Sequence, residues 1–99
     1  MIVIAGTISV KAETREEAVQ AALVMQRATQ QEEGCLAYRF HADLEDPNTF
    51  FLFEEWESQK HLDAHFKTEH MKVFRSVIPK LFNGPSDLKY YVIESSRPI

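Results

Sequence analysis

Residues 49–57, TFFLFEEWE, place large apolar side chains on both faces of an extended segment. Side chains alternate across a strand, so Phe50, Leu52 and Trp56 point one way and Phe51 and Phe53 the other. Residues 2–10, IVIAGTISV, are β-branched and also apolar on both faces. Such strands need cover on each side of the sheet they form. A chain of 99 residues holds one core, so the whole of 1–99 reads as a single domain.

The remaining elements follow from periodicity and punctuation. Thr14 with Glu17 forms a capping-box pattern at a helix start, and Ala18, Ala21, Ala22, Met25 and Ala28 repeat at helical spacing. Gly34 is expected to end that helix. CLAYRFHA (35–42) reads as a second strand, joined to 49–57 through the turn DLEDPN. Ser58 caps a short helix over 59–66, and Thr68 another with Phe74, Val77, Ile78, Leu81 and Phe82 along its stripe. Pro79 is expected to kink or divide that helix. Asn83-Gly84-Pro85 closes it, and Asp87 to Glu94 form the last strand.

The order β-α-β-β-α-β predicts an α+β, ferredoxin-like fold with an antiparallel sheet and a second helical element broken in two. Two helices cover one sheet face. The other would expose an aromatic patch, which soluble monomers avoid, so a homodimer packed sheet to sheet is expected.

Composition narrows the partners. Fifteen acidic residues against eleven basic give a net charge of −4. No basic cluster is present to neutralise a row of phosphates, so nucleic acid is not an expected partner. No apolar run approaches the ~20 residues that span a bilayer, and MIVIAGTISV lacks the basic region of a signal peptide. A single cysteine, Cys35, fits a reducing compartment, and a cytoplasmic location is expected. Cys35 itself reads as a small buried residue.

Candidate chemistry concentrates in HLDAHFKTEH, which holds three of the four histidines. His61 and His65 stand at i, i+4, and His70, Asp63, Glu69 and His41 are further ligand types. H-x3-H-x4-H lacks the glutamate of the HExxH zinc pattern, and a turn near Thr68 separates His70; no metal is expected. His61, beside Gln59 and Lys60, reads as solvated. His65 lies among Leu62, Ala64 and Phe66, and fits either a hydrogen-bonded wall residue or a base. Trp56 is equally a core residue or a pocket wall; Tyr38, Phe40 and Phe53 can line a flat apolar cavity. Glu54 and Glu55 are adjacent on a strand, point to opposite faces and cannot act as a pair. No dinucleotide, phosphate-loop or serine-elbow motif is present.

EEGCLAYRF (32–40), DLEDPNTFFLFEEWES (43–58) and HLDAHFKTEHMKVF (61–74) together resemble the antibiotic biosynthesis monooxygenase domain, closest to the small bacterial quinol monooxygenases. The resemblance implies a dimeric α+β barrel, with a site in each subunit between sheet and helices. It further implies oxidation of a quinol or phenolic aromatic by O₂ without metal, flavin or haem. His65 would be the catalytic base and Glu54 and Trp56 its neighbours, with His70 at the pocket mouth. Tyr38, Phe53 and Thr7 would bind substrate, with Thr7, Tyr38 and Arg39 as polar groups for the phenolate. Haem-degrading relatives carry other residues where Thr7, His65 and Arg75 stand, so haem degradation is not expected. Two alternatives remain: a non-oxidative isomerase or signal-molecule-processing enzyme, drawing on Lys67, Lys72 and Arg75, and a non-catalytic dimer binding an aromatic ligand.

Overall fold

A computed structural model describes all 99 residues. The elements run β1 (Ile2–Ser9), α1 (Arg15–Thr29), β2 (Cys35–Ala42), β3 (Thr49–Trp56), α2 (Gln59–Phe66), α3 (Glu69–Leu81) and β4 (Asp87–Val92). The four strands form one antiparallel sheet in the order β2-β3-β1-β4. This is the ferredoxin-like α+β arrangement expected from the order of elements.

All helices lie on one face. Ile2, Ile8, Phe50, Leu52, Trp56 and Tyr38 from the strands meet Ala18, Ala22, Met25, Leu62, Phe74 and Leu81 from the helices in one core. Burial along β3 alternates as the sequence requires: Phe50, Leu52, Glu54 and Trp56 are buried, while Phe51, Phe53 and Glu55 are not. On the free face Phe51 and Tyr91 stay exposed.

The edge strand β2 is guarded by its own helix. Buried Gln26 accepts from the Phe40 N–H (2.8 Å), and Gln30 donates to the Tyr38 carbonyl (2.9 Å). Two glutamines one turn apart thus occupy backbone groups that an edge strand would otherwise leave open.

Three local expectations are corrected. Thr14 forms no capping box; a 3₁₀ turn over Ala12–Thr14 precedes α1, and the Thr14 hydroxyl donates to the Leu81 carbonyl instead (3.2 Å). The helix α1 ends at Thr29, five residues before Gly34, whose φ of +80° serves the turn into β2. Helix α3 runs undivided through Pro79 to Leu81; the proline sits in its last turn, where few backbone bonds remain to be broken. The break in the second helical element falls at Lys67–Thr68, and both new helices are capped as expected. The Ser58 hydroxyl accepts from the His61 N–H and that of Thr68 from the Met71 N–H.

Candidate active site

Between the sheet and helices α2 and α3 lies a cavity of about 570 Å³, lined by seventeen residues of which eleven are hydrophobic. Its polar side chains include His65, Glu54 and Tyr38. A chamber of this size and apolarity suits an aromatic molecule rather than a strongly charged one.

His65 reaches the cavity because α2 is short and amphipathic. Leu62 and His65, three residues apart, form its buried stripe, at 1% exposure each. Phe66 is 41% exposed and lines the cavity. The imidazole lies 4.8 Å from the Trp56 indole and 5.7 Å from the Tyr38 ring, centroid to centroid.

One ring nitrogen of His65 is fixed. Nδ1 lies 2.7 Å from Glu32 Oε2. Against a carboxylate, Nδ1 carries the proton, which leaves the lone pair on Nε2. Nε2 has no partner in the chain, and no fully buried side-chain nitrogen or oxygen is left unpaired. Nε2 is therefore the atom open to the cavity. Burial lowers the His65 pKa below the usual imidazole range, against the raising effect of Glu32. At neutral pH the ring is an uncharged proton acceptor.

Glu54 is buried on β3, 5% exposed. Its Oε1 accepts from the Trp56 indole N–H at 3.0 Å. Burial pushes its carboxyl up to about 7, the indole hydrogen bond opposing and the Glu32 charge assisting. Tyr38 pairs with Glu54 across the strands. Burial first, and the Glu54 charge next, hold its phenol far above the usual range, so it remains a hydrogen-bond donor. Cys35 is raised to about 11, chiefly by burial, and is not a thiolate nucleophile.

The remaining candidates fall elsewhere. Trp56 is fully buried and supports the His65 ring without lining the cavity. Phe53 and Thr7 lie on the opposite sheet face: Phe53 alternates with Glu54, and exposed Thr7 pairs with Phe51. Arg39, opposite Phe53, shares that face. Strand parity thus places all three away from this cavity. Arg75 is occupied by the Phe66 carbonyl, and Lys67 and Lys72 are exposed and line no part of the cavity. His61 is half-buried rather than solvated, with Nδ1 2.8 Å from the Ser58 hydroxyl.

His70 is not at the mouth of this cavity. It borders a separate apolar groove between α1 and α3. Its Nε2 lies 2.7 Å from Glu32 Oε2, the same oxygen that His65 engages. Glu32, in the turn after α1, went unsingled in the sequence; its only signal there is its place at the head of the EEGC motif. Ligand-type atoms of Glu32, His65 and His70 lie within 4.8 Å of one another.

The chain is thus a ferredoxin-like α+β domain with a histidine facing an apolar cavity. The chain belongs to the antibiotic biosynthesis monooxygenase family, whose model matches residues 1–77. It is 31% identical over 88 residues to YcnE of Bacillus subtilis, covering 89% of this chain and 93% of that one; YcnE is named a monooxygenase by inference. Over 55 residues it is 34% identical to YgiN of Escherichia coli, named by inference a quinol monooxygenase, covering 48% of this chain and 53% of that one. A crystal structure from Deinococcus radiodurans, assigned by inference to the same family, superposes with a TM-score of 0.91 at 25% identity. That match covers 100% of this chain and 98% of the other.

Proposed function

We propose that this monooxygenase-type protein oxidises a quinol or phenolic aromatic with O₂, without a cofactor, using His65 as general base. The observation that carries the proposal is the Glu32–His65 pair: one nitrogen is anchored on a carboxylate and the other opens into an apolar cavity. The substrate phenol gives its proton to Nε2, and the phenolate supplies electrons to O₂. One oxygen atom enters the substrate and the other leaves as water, whose two hydrogens and two electrons also come from the substrate. Moving a proton from a phenol of pKa ~10 to an imidazole of ~6.5 costs about 5 kcal/mol, and somewhat more with the depressed pKa of His65. That fits within ordinary enzymatic barriers. Tyr38 supplies a polar contact to the ionised ring.

The free sheet face, with Phe51, Phe53 and Tyr91, is proposed to pair with the same face of a second copy. No helix is long and apolar enough to cross a membrane; a cytoplasmic location stays a proposal resting on the single free cysteine.

A second reading has its own support. Glu54, held near pH 7, shares the cavity with His65, and an acid facing a base is what an isomerase requires. Oxygen uptake with a reduced naphthoquinol separates the two. Consumption above the autoxidation blank supports the monooxygenase. Turnover of a ketose-like substrate under nitrogen, with no oxygen uptake on any quinol, would replace it with the isomerase.

A further inference from the structure

Two histidine nitrogens from different helices, His65 Nδ1 on α2 and His70 Nε2 on α3, converge on one oxygen of Glu32, each at 2.7 Å. We propose that Glu32, His65 and His70 bind a zinc-class divalent transition ion, and that its binding switches His65 off as a base. The second half rests on the reading of His65 given above.

The donor set is two imidazoles and a carboxylate, which suits zinc, cobalt or iron(II) better than calcium or magnesium. Both nitrogens already aim at a common point, because both donate to the same atom. Bonds of ~2.0–2.1 Å in a tetrahedral site put ligand atoms ~3.3 Å apart, so the oxygen must withdraw by about 0.6 Å. The two nitrogens, now within 4.8 Å of one another, must close to the same spacing. Glu32 stands on a turn between α1 and β2, so its oxygen can withdraw by side-chain rotation. Its side chain is 14% exposed and that of His70 23%, and Glu32 borders a shallow surface hollow with Lys60, His61 and Thr68. An ion can therefore arrive from solvent without crossing the substrate cavity.

The consequence for the cavity follows from imidazole chemistry. The ion takes the place of the proton on Nδ1, and a neutral metal-bound imidazole carries its proton on the other nitrogen. Nε2 then offers the cavity an N–H instead of a lone pair, and a phenol can no longer transfer its proton there. The pattern H-x3-H-x4-H suggests His61 and His65 as ligands, but His61 is turned to Ser58 and the third donor is Glu32.

Chelator-treated protein is titrated with Zn(II) and Co(II), bound metal is counted by equilibrium dialysis, and the emission of Trp56, the sole tryptophan, is followed. One equivalent is expected, with affinity at least tenfold weaker in His70→Ala and in Glu32→Gln and retained in His61→Ala. No stoichiometric binding, or equal affinity in His70→Ala, overturns the site. Nitrogen-15 shifts of His65 read the switch directly: Zn(II) should move the proton from Nδ1 to Nε2. An unchanged Nε2 lone pair with the metal bound overturns the switch. These readouts need no turnover, so a metal-free protein that oxidises no quinol would sink the base assignment alone.

Discussion

The indole of Trp56 lies against the imidazole of His65 at 4.8 Å between centroids, tilted by 38°, and its N–H is bound to Glu54 Oε1 at 3.0 Å. One buried side chain thus props the proposed base and satisfies the second titratable group of the cavity. Trp56→Phe keeps a ring beneath His65 but removes the donor. Because that hydrogen bond holds the Glu54 pKa down, the variant should titrate Glu54 above the present value of about 7. Carbon-13 NMR of the carboxyl measures it; an unmoved or lower pKa would show that the indole does not govern Glu54. A stability loss of about 1–3 kcal/mol should accompany it, from the lost bond and smaller ring.

Glu54 should make the fold sensitive to pH in one direction. Its folded pKa, about 7, lies above the unfolded value of 4.5. The folded state therefore binds the extra proton between these values, and this group's contribution is lost as pH rises from 4.5 through 7. Glu54→Gln, which keeps an acceptor for the indole, should be more stable than wild type at pH 8 by up to about 3 kcal/mol. The gap should close towards pH 4.5. Urea denaturation at both pH values decides it; equal gaps would mean that folding does not raise the Glu54 pKa.

Metal-free Glu32→Gln should lose about 10–100-fold in kcat/KM, the effect expected when a group orienting a functional histidine is removed. The carboxylate also raises the His65 pKa. Removing it should move the acidic limb of the rate profile to lower pH. A limb shifted upward would assign that titration to another group.

Metal-free His65→Ala, checked for retained fold by circular dichroism, should lose about 10²–10⁴-fold in quinol-dependent oxygen uptake. His61→Ala should change it little, since that ring lines no part of the cavity. Similar losses in the two variants would remove the special role of His65.

Two glycines with similar φ should respond differently to alanine. At Gly34 (φ +80°) a Cβ would sit 2.1 Å from His61 Cγ, whereas at Gly84 (φ +73°) nothing lies within 4 Å. Gly84→Ala should cost about 1 kcal/mol of backbone strain, and Gly34→Ala clearly more, because the His61 ring must also move. Thermal unfolding compares them, and an equal cost would show that the ring yields freely.

The fold is readable in the sequence because its signals are local: alternation in β3, the caps at Ser58 and Thr68, and the hairpin at Pro47-Asn48. Cavity residues on β2 and β3 follow from the same parity, which points Tyr38 and Glu54 at the helices and, applied consistently, sends Phe53 and Arg39 away. Glu32 is a different matter. Its role arises from a turn, a short helix and the start of a longer one meeting in space, with sequence separations of 33 and 38 residues to its histidine partners. No period or motif encodes a meeting of that kind. The end of α1 escapes the sequence for a related reason. Gly34 marks a left-handed residue, and the sequence does not say whether it closes a helix or opens a strand.

Strand β3 divides its residues by parity: Glu54 and Trp56 face the helices, Phe51, Phe53 and Glu55 the far surface. Adjacent positions therefore answer to separate selective demands. The odd-numbered side could be rewritten for a new companion while the even-numbered side kept its reaction. A library built on this strand should fall into two independent sets, and the odd positions offer the place to redesign the proposed pairing of copies without disturbing the cavity.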